Sequence, residues 1–416
     1  MNFVFWQSIL EKYWGISSKL SLLDGEFDLN ILVRSTDDKQ YVLKIMREDC
    51  LQDFVDMQIQ AISHLKSIEP ELPFPDIIET ISGKKFIQCE DNLGRTRLLW
   101  LIKKLPGQKY VEYQRNNLNV VKELGHMIAK CDRSLESFEH GFLTRSLKWN
   151  LIEAGWVEKH IDLIEDPSRK IIVQNIIKEY KNILPKLREQ PFQAIHGDIN
   201  DHNILVAGGL KDQPYISGIL DFGDMCHCPR VCNLAIAAAY VVLDHDQPEA
   251  ALTSLVSAYN ISSPLTVAEF DLIWPLLTMR LAVSVVNSTL MSNEDPDDPY
   301  ITVSQAPAWR FLEHNSQNSK FIAARLRSKC GKPVVEGADR VLSYLEEGRG
   351  SFAQIFDFDL NSLPMGSLSV ENSSWPQNPF SLPLDEALEV GSDIITKDGF
   401  WMGYYNEPRL IYTEPA

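Results

Sequence analysis

No apolar run in this chain is long enough to cross a bilayer. The longest, Leu234 to Leu243, is about half of the roughly 20 residues a crossing helix needs, and Leu272 to Val286 is interrupted by Pro275 and Arg280. Positive charge is also short: 40 Lys and Arg stand against 57 Asp and Glu, a net charge of −17. That field repels phosphate backbones and anionic lipid surfaces, so neither nucleic acid nor a membrane is an expected partner, and it favours a cationic small molecule. Cysteine comes in an odd number, seven, and the opening MNFVFWQSILEKYW has charge too early and too few apolar residues for a secretory signal. A reducing cytoplasm is the expected location. With 44% hydrophobic and 23% charged residues the composition is that of a folded globular chain. Its 416 residues exceed what one core fills, so two or three lobes are expected.

Residues 17–46 alternate around a turn at Asp24-Gly25 and a polar tip at 36–40, which predicts a hairpin and a following strand. In LQDFVDMQIQAISHLKSI, Phe54, Ile59, Ile62 and Leu65 fall near helical spacing, and KKFIQCE and RTRLLWLIKKL then read as strands ending at Pro106-Gly107. Residues 1–105 are thus a small α+β lobe. From Leu118 the pattern turns helical, through LNVVKELGHMIAKCDRSL, LKWNLIEAGWVEKHIDLI and IIVQNIIKEYKNILPKL. A β-rich insert at 192–224 interrupts it, and helices resume to about residue 329, so 106–360 is expected to be a mainly helical lobe. Residues 361–386, rich in Ser, Asn and Pro, read as a linker, and the rest as a strand pair too small for its own core. Residues 361–416 are therefore a linker and a β-rich tail that either packs on the preceding lobes or begins a further domain.

The chemistry concentrates in His196-Gly197-Asp198-Ile199-Asn200-Asp201-His202-Asn203 and in Asp221-Phe222-Gly223-Asp224. Phosphoryl transfer needs a positioned hydroxyl beside a base, and metals that neutralise phosphate charge. An Asp five residues before an Asn on one loop between strands supplies both. Asp198 is the expected base, with Asn203 and Asp221 as Mg²⁺ ligands. Lys44, in the strand Tyr41-Val42-Leu43-Lys44-Ile45, has the position of a phosphate clamp. Cys226, His227, Cys228 and Cys232 lack the second paired knuckle of a zinc site and read as packing residues.

His-Gly-Asp, four residues, Asn, and then Asp-Phe-Gly-Asp together resemble the aminoglycoside phosphotransferase and choline kinase superfamily. The resemblance implies a protein-kinase-like two-lobed α+β fold, with a small β-rich lobe binding nucleotide and a mainly helical lobe carrying the catalytic and metal loops. It also implies ATP or GTP as donor, Mg²⁺, and a role for His196 in the catalytic motif. It places the phosphate-covering loop at Asp24 to Asn30, around Gly25, and the purine against the strand near Leu101 to Lys103. The family's helix carboxylate falls on the uncharged Gln58, and Asp56, less than a turn away, is the expected partner of Lys44.

Longer segments, SLKWNLIEAGWV, DFGDMCHCPRVCNLAIAAAY, MRLAVSVVNS and DPYITVSQAPAW, resemble hydroxylysine kinases and the kinase domains of bacterial fusions to a peptidase-like segment and a class III aminotransferase. GYYNEPRLIYTEPA resembles the start of that peptidase-like segment. The pattern has Asp where this chain has Asn150 and Asn233. The expected activity is phosphorylation of a hydroxyl on an amino alcohol or hydroxylated amino acid; an aminoglycoside-type antibiotic kinase and a non-catalytic nucleotide-binding module are the alternatives. Asp201, Asp224, Trp149, Trp156 and the acidic run from Glu294 to Asp298 are candidate neighbours for an amine, although such tryptophans are commonly core and such runs solvated.

Overall fold

The computed structural model describes residues 2–23, 25, 28–113, 116–209, 212–294, 305–315, 319–332, 382–383, 401–406 and 409–415. The opening segment is an amphipathic helix, α1 (Phe3–Trp14), which its reading as a non-secretory start did not anticipate. The Asn2 side chain caps it by accepting from the Phe5 amide, and Gly15 in the left-handed region ends it. Trp6, Ile9, Leu10 and Trp14 are buried against Ile31, Val33, Leu43, Leu99 and Leu101 of a sheet, each burial contributing about 2 kcal/mol.

That sheet begins as the antiparallel meander β1 (Ser18–Leu23), β2 (Leu29–Ser35) and β3 (Gln40–Ile45), with Asn30 opposite Lys44. After α2 (Gln52–Ile68), β4 (Ile77–Ile78), β5 (Phe86–Glu90) and β6 (Thr96–Lys103) complete it in the order β1-β2-β3-β6-β4, with β5 also on β6. The middle of β6, Leu98 to Ile102, is buried on both faces, which is why it reads as a continuous apolar run.

Then follow β7 (Gln108–Lys109), α3 (Leu118–Leu135), α4 (Pro167–Arg188), β8 (Phe192–Ile195), β9 (Ile204–Gly209), β10 (Asp212–Ile219), β11 (Cys226–Pro229), α5 (Arg230–Val241) and α6 (Pro248–Ser262). Every residue of α5 from Val231 to Val241 is buried, so the longest apolar run is a core helix. Helix α3 crosses α6 at Gly125, where a Cβ would stand 2.4 Å from the Leu255 carbonyl oxygen. Residues Leu151–Leu163, expected as α-helix, wind as 3-10 helix; Gly155 sits mid-run, where it weakens α-winding.

The chain divides into two compact units, Met1–Trp156 with Arg188–Ser263, and Val157–Leu187 with Pro264–Ala416. The second contains most of α4, then α7 (Val267–Glu294), α8 (Gln305–His314) and α9 (Ser319–Lys329). Asp271 on α7 holds both Lys186 at 2.7 Å and Arg327 at 3.3 Å. A separate sheet of β12 (Leu382–Pro383), β13 (Trp401–Asn406) and β14 (Arg409–Pro415) includes the expected C-terminal hairpin. The expected linker, apart from Leu382 and Pro383, lies outside the described residues, as do Asp295 to Asp298 of the acidic run. Among the described residues no helix is long and apolar enough to cross a membrane.

Candidate active site

Two antiparallel pairings bring the chemical loops together. Strand β8 pairs with β11, Ile195 opposite Cys226, and β9 pairs with β10, Ile204 opposite Ile219. The loop 196–203 therefore joins β8 to β9, and the loop 220–225 joins β10 to β11. Leu220 ties one to the other: its amide donates to the Asn203 carbonyl at 2.8 Å, and its carbonyl accepts from His196 Nε2 at 3.1 Å.

Within the first loop, Asn200 folds the backbone by accepting from the His202 and Asn203 amides at 2.9 and 3.0 Å. Asp198 Oδ2 accepts from Asn200 Nδ2 at 2.9 Å and from Asn203 Nδ2 at 2.8 Å. These bonds aim the carboxylate and commit the Asn203 amide nitrogen, so Oδ1 is the end of Asn203 left to serve as a ligand.

His196 is wholly buried, and burial lowers its pKa to about 4. Its neutral form suits both of its bonds, since Nε2 donates to Leu220 and Nδ1 accepts from the Asp198 amide at 3.3 Å. His196, expected among the catalytic groups, thus acts through the backbone on either side of Asp198 and Asp221. Phe222 packs between its ring and Phe74, at 4.7 and 5.6 Å.

Gly197 has φ +80°, and a Cβ there would meet the Asp224 carbonyl oxygen at 2.3 Å, so any side chain would push the two loops apart. Its amide donates to Asn233 Oδ1 at 3.1 Å, while Asn233 Nδ2 donates to Asp132 Oδ1 at 2.6 Å and the Tyr259 hydroxyl to Asp132 Oδ2 at 2.8 Å.

Asp221 has φ +61°, a region that costs a non-glycine residue about 1 kcal/mol or more and that clusters at functional sites. Lys44 Nζ stands 3.9 Å from Asp221 Oδ1 and holds the carboxyl below its usual range, so it is ionised at neutral pH. The expected pairing of Lys44 with Asp56 is not formed. Asp56 faces His140 at 3.4 Å, and the buried position on the inner face of α2 belongs to Gln58, whose Nε2 donates back to the Phe54 carbonyl at 3.3 Å. An acidic side chain could not bury there without a partner, and Asp221 already answers the Lys44 charge.

Gly25 lies against Asn30, opposite Lys44 in the ladder; Asp24, Glu26 and Phe27 of the expected phosphate loop lie outside the described residues. Leu101 is fully buried between Leu43 and Ile78 in the ladder, and the Lys103 amide donates to Asp76 at 2.9 Å. The ladder thus occupies the strand expected to meet the purine.

Asp201 is buried, Asp224 abuts Gly197, and Trp156 in the 3-10 helix donates back to the Lys148 carbonyl just before it at 3.0 Å. Cys226, Cys228 and Cys232 are buried; a hydrogen bond from Cys228 raises the Cys226 thiol, and burial raises Cys228. Asp221 and Asn203 offer hard oxygens of the kind Mg²⁺ takes alongside water and phosphate, and so fit that ion. Sequence reasoning missed Asn200, Asp132, Tyr259 and Arg145; the short polar spacing from Asp198 to Asn200 signals only the first.

Residues 20–270 match the family described as the phosphotransferase enzyme family, APH. The chain is 27% identical to hydroxylysine kinase of Mus musculus over 329 residues, 74% of this chain and 87% of that protein. It is 26% identical to hydroxylysine kinase of Danio rerio over 318 residues, 73% and 88% of the two chains. Among solved structures its fold is similar to an amicoumacin kinase complex (TM-score 0.56, 15% identity, 74% of this chain and 93% of that one). It is also similar to a GDP complex of aminoglycoside 2'-phosphotransferase-IIIa (TM-score 0.55, 16% identity, 76% and 100%). The architecture is thus the protein-kinase-like one of these phosphotransferases, an antiparallel-sheet lobe followed by a helical lobe.

Proposed function

The chain belongs to the APH phosphotransferase enzyme family, and from that premise we propose that it transfers the γ-phosphate of ATP or GTP to a hydroxyl of an amino alcohol or hydroxylated amino acid of the hydroxylysine kind. The observation that carries this reading is the convergence on one pair of loops of Asp198, Asn203 and Asp221, with Lys44 at 3.9 Å from Asp221. The likeness to hydroxylysine kinases over most of their length supports the substrate class.

Asp198 orients the acceptor hydroxyl and takes its proton as the new O–P bond forms and the bond from the γ-phosphorus to the β-phosphate bridging oxygen breaks. Asn203 Oδ1 and the Asp221 carboxylate would hold Mg²⁺, and Lys44 would meet the phosphates. A bound Mg²⁺ supplies neutralisation of the charge on the transferring phosphate. The net charge of −17 favours an acceptor carrying an amine.

The test is nucleotide consumption with Mg²⁺ and ATP or GTP on 5-hydroxylysine, ethanolamine, choline, homoserine and kanamycin. Turnover on an amino alcohol or hydroxylated amino acid, reduced about 10³-fold in Asp198→Ala, is the expected result. Turnover on kanamycin alone, or nucleotide binding with no turnover on any compound, overturns the substrate assignment.

A further inference from the structure

The metal-loop backbone is bolted from behind by one side chain. Arg145 follows the 3-10 turn Gly141–Thr144, 78 residues before the loop. Its Nη2 donates to the Gly223 carbonyl, and its Nη1 to the Met225 carbonyl at 2.7 Å and the Phe142 carbonyl at 3.1 Å. The flat guanidinium lies over two aromatic rings, Phe142 at 5.0 Å and Phe54 at 5.7 Å, which themselves meet edge to face at 6.0 Å. Lysine, a point donor without a flat face, cannot span two carbonyls on alternate residues while stacking on two rings.

The clamped loop is the one that presents the metal-binding carboxylate. The Gly223 amide donates to Asp221 Oδ1 at 3.1 Å, so the peptide units around Gly223 are held by Arg145 on one side and Asp221 on the other. The Asp224 carbonyl, between the two carbonyls that Arg145 grips, is the group that abuts Gly197 beside Asp198. Phe54 brings in α2, the helix on which the partner of Lys44 was expected: its ring lies 3.3 Å from where a Cβ on Gly223 would be.

Resting on the kinase reading, we propose that Arg145 is a positioning residue for the metal loop, a guanidinium bolt packed over Phe54 and Phe142 that sets the Asp221 carboxylate for the divalent ion and keeps the loop seated on the 196–203 loop. A side chain that merely fills space would affect folding alone; a bolt on this loop changes metal affinity and local amide exchange.

The experiment uses the full chain and two readouts besides turnover: Mn²⁺ binding followed by electron paramagnetic resonance with ADP present, and hydrogen exchange of the amides from 221 to 225. Arg145→Lys and Arg145→Ala are expected to weaken Mn²⁺ binding by about tenfold to a hundredfold, in the manner of a lost outer contact to a metal ligand. Both are expected to speed exchange at Gly223, and added guanidinium should restore part of the loss in Arg145→Ala. Phe54→Leu keeps the donors and removes one stacking face, so it should give a smaller change of the same sign, and it carries the test if the Arg145 variants do not fold. Unchanged Mn²⁺ affinity and unchanged Gly223 exchange in Arg145→Lys or Phe54→Leu overturn the proposal. Wild-type protein that binds neither nucleotide nor Mn²⁺ overturns the kinase reading instead, and the exchange readout still decides whether Arg145 holds the loop.

Discussion

The amide of Asn233 donates to the carboxylate of Asp132 across 2.6 Å in a site where both side chains are buried. The resembled pattern has Asp at position 233; here that position is an amide, which bridges the Asp132 carboxyl on α3 to the Gly197 amide at 3.1 Å. The Asp132 carboxyl thus accepts from both Asn233 and Tyr259.

Asn233→Asp would therefore place two carboxylates against each other in the interior. It is expected to cost about 1–3 kcal/mol, the scale of a buried hydrogen bond that loses its donor. Asp132→Asn added to it restores a donor opposite a single carboxylate, so the double variant should recover most of the loss. Urea unfolding of the two single variants and the double variant checks this; additive losses would rule out a direct coupling.

Tyr259→Phe removes one hydrogen bond to the same carboxylate. A loss of about 1.5–3 kcal/mol is expected, measured by the denaturation midpoint.

Gly197→Ala confronts the 2.3 Å approach to the Asp224 carbonyl and a φ of +80°. Because the conflict lies between the two chemical loops, kcat is expected to fall by about a hundredfold, the scale of a small misplacement of reacting groups. Steady-state kinetics beside a thermal melt separates this from general unfolding, since a variant that kept full kcat would show that the loops can part without cost.

His196 predicts the acid behaviour of stability. Its pKa is depressed from 6.5 to about 4 by burial, so the unfolded chain binds the proton more readily. The group's contribution is present in full above about pH 6.5 and is lost as pH falls toward 4, an effect of the order of 3 kcal/mol. Unfolding free energy followed from pH 7 to pH 4 should fall steeply in the wild type and less so in His196→Asn.

Lys44→Met deletes the cation beside Asp221 and the group expected to meet the phosphates. A fall in kcat/KM of about 10²–10³ is expected, the cost of losing one electrostatic contact to the transferring group, read from initial rates at varied nucleotide.

The short-range order of the site was legible in the residues themselves. Asp198 and Asn203 fall within one short loop, so their spacing alone puts them within reach of each other, and alternation marked the strands whose pairing brings Asp221 beside them. Helix α1 was overlooked because its pattern was weighed only against a secretory signal. On α2 the periodicity placed Asp56 and Gln58 within one turn, and helical spacing alone does not say which of them is buried.

Sequence by itself thus determined the phosphotransferase class and the α+β plan, and marked the two loops expected to carry the chemistry, since motifs and alternation depend on residues only a few positions apart. Tertiary structure alone decided that Lys44 answers Asp221 and not Asp56, that Asp132 and Asn233, 101 residues apart, meet in a buried hydrogen bond, and that Arg145 grips Gly223 from 78 residues away. Such pairings follow from how helices and strands pack, and a buried polar group takes whichever partner that packing brings within hydrogen-bond reach.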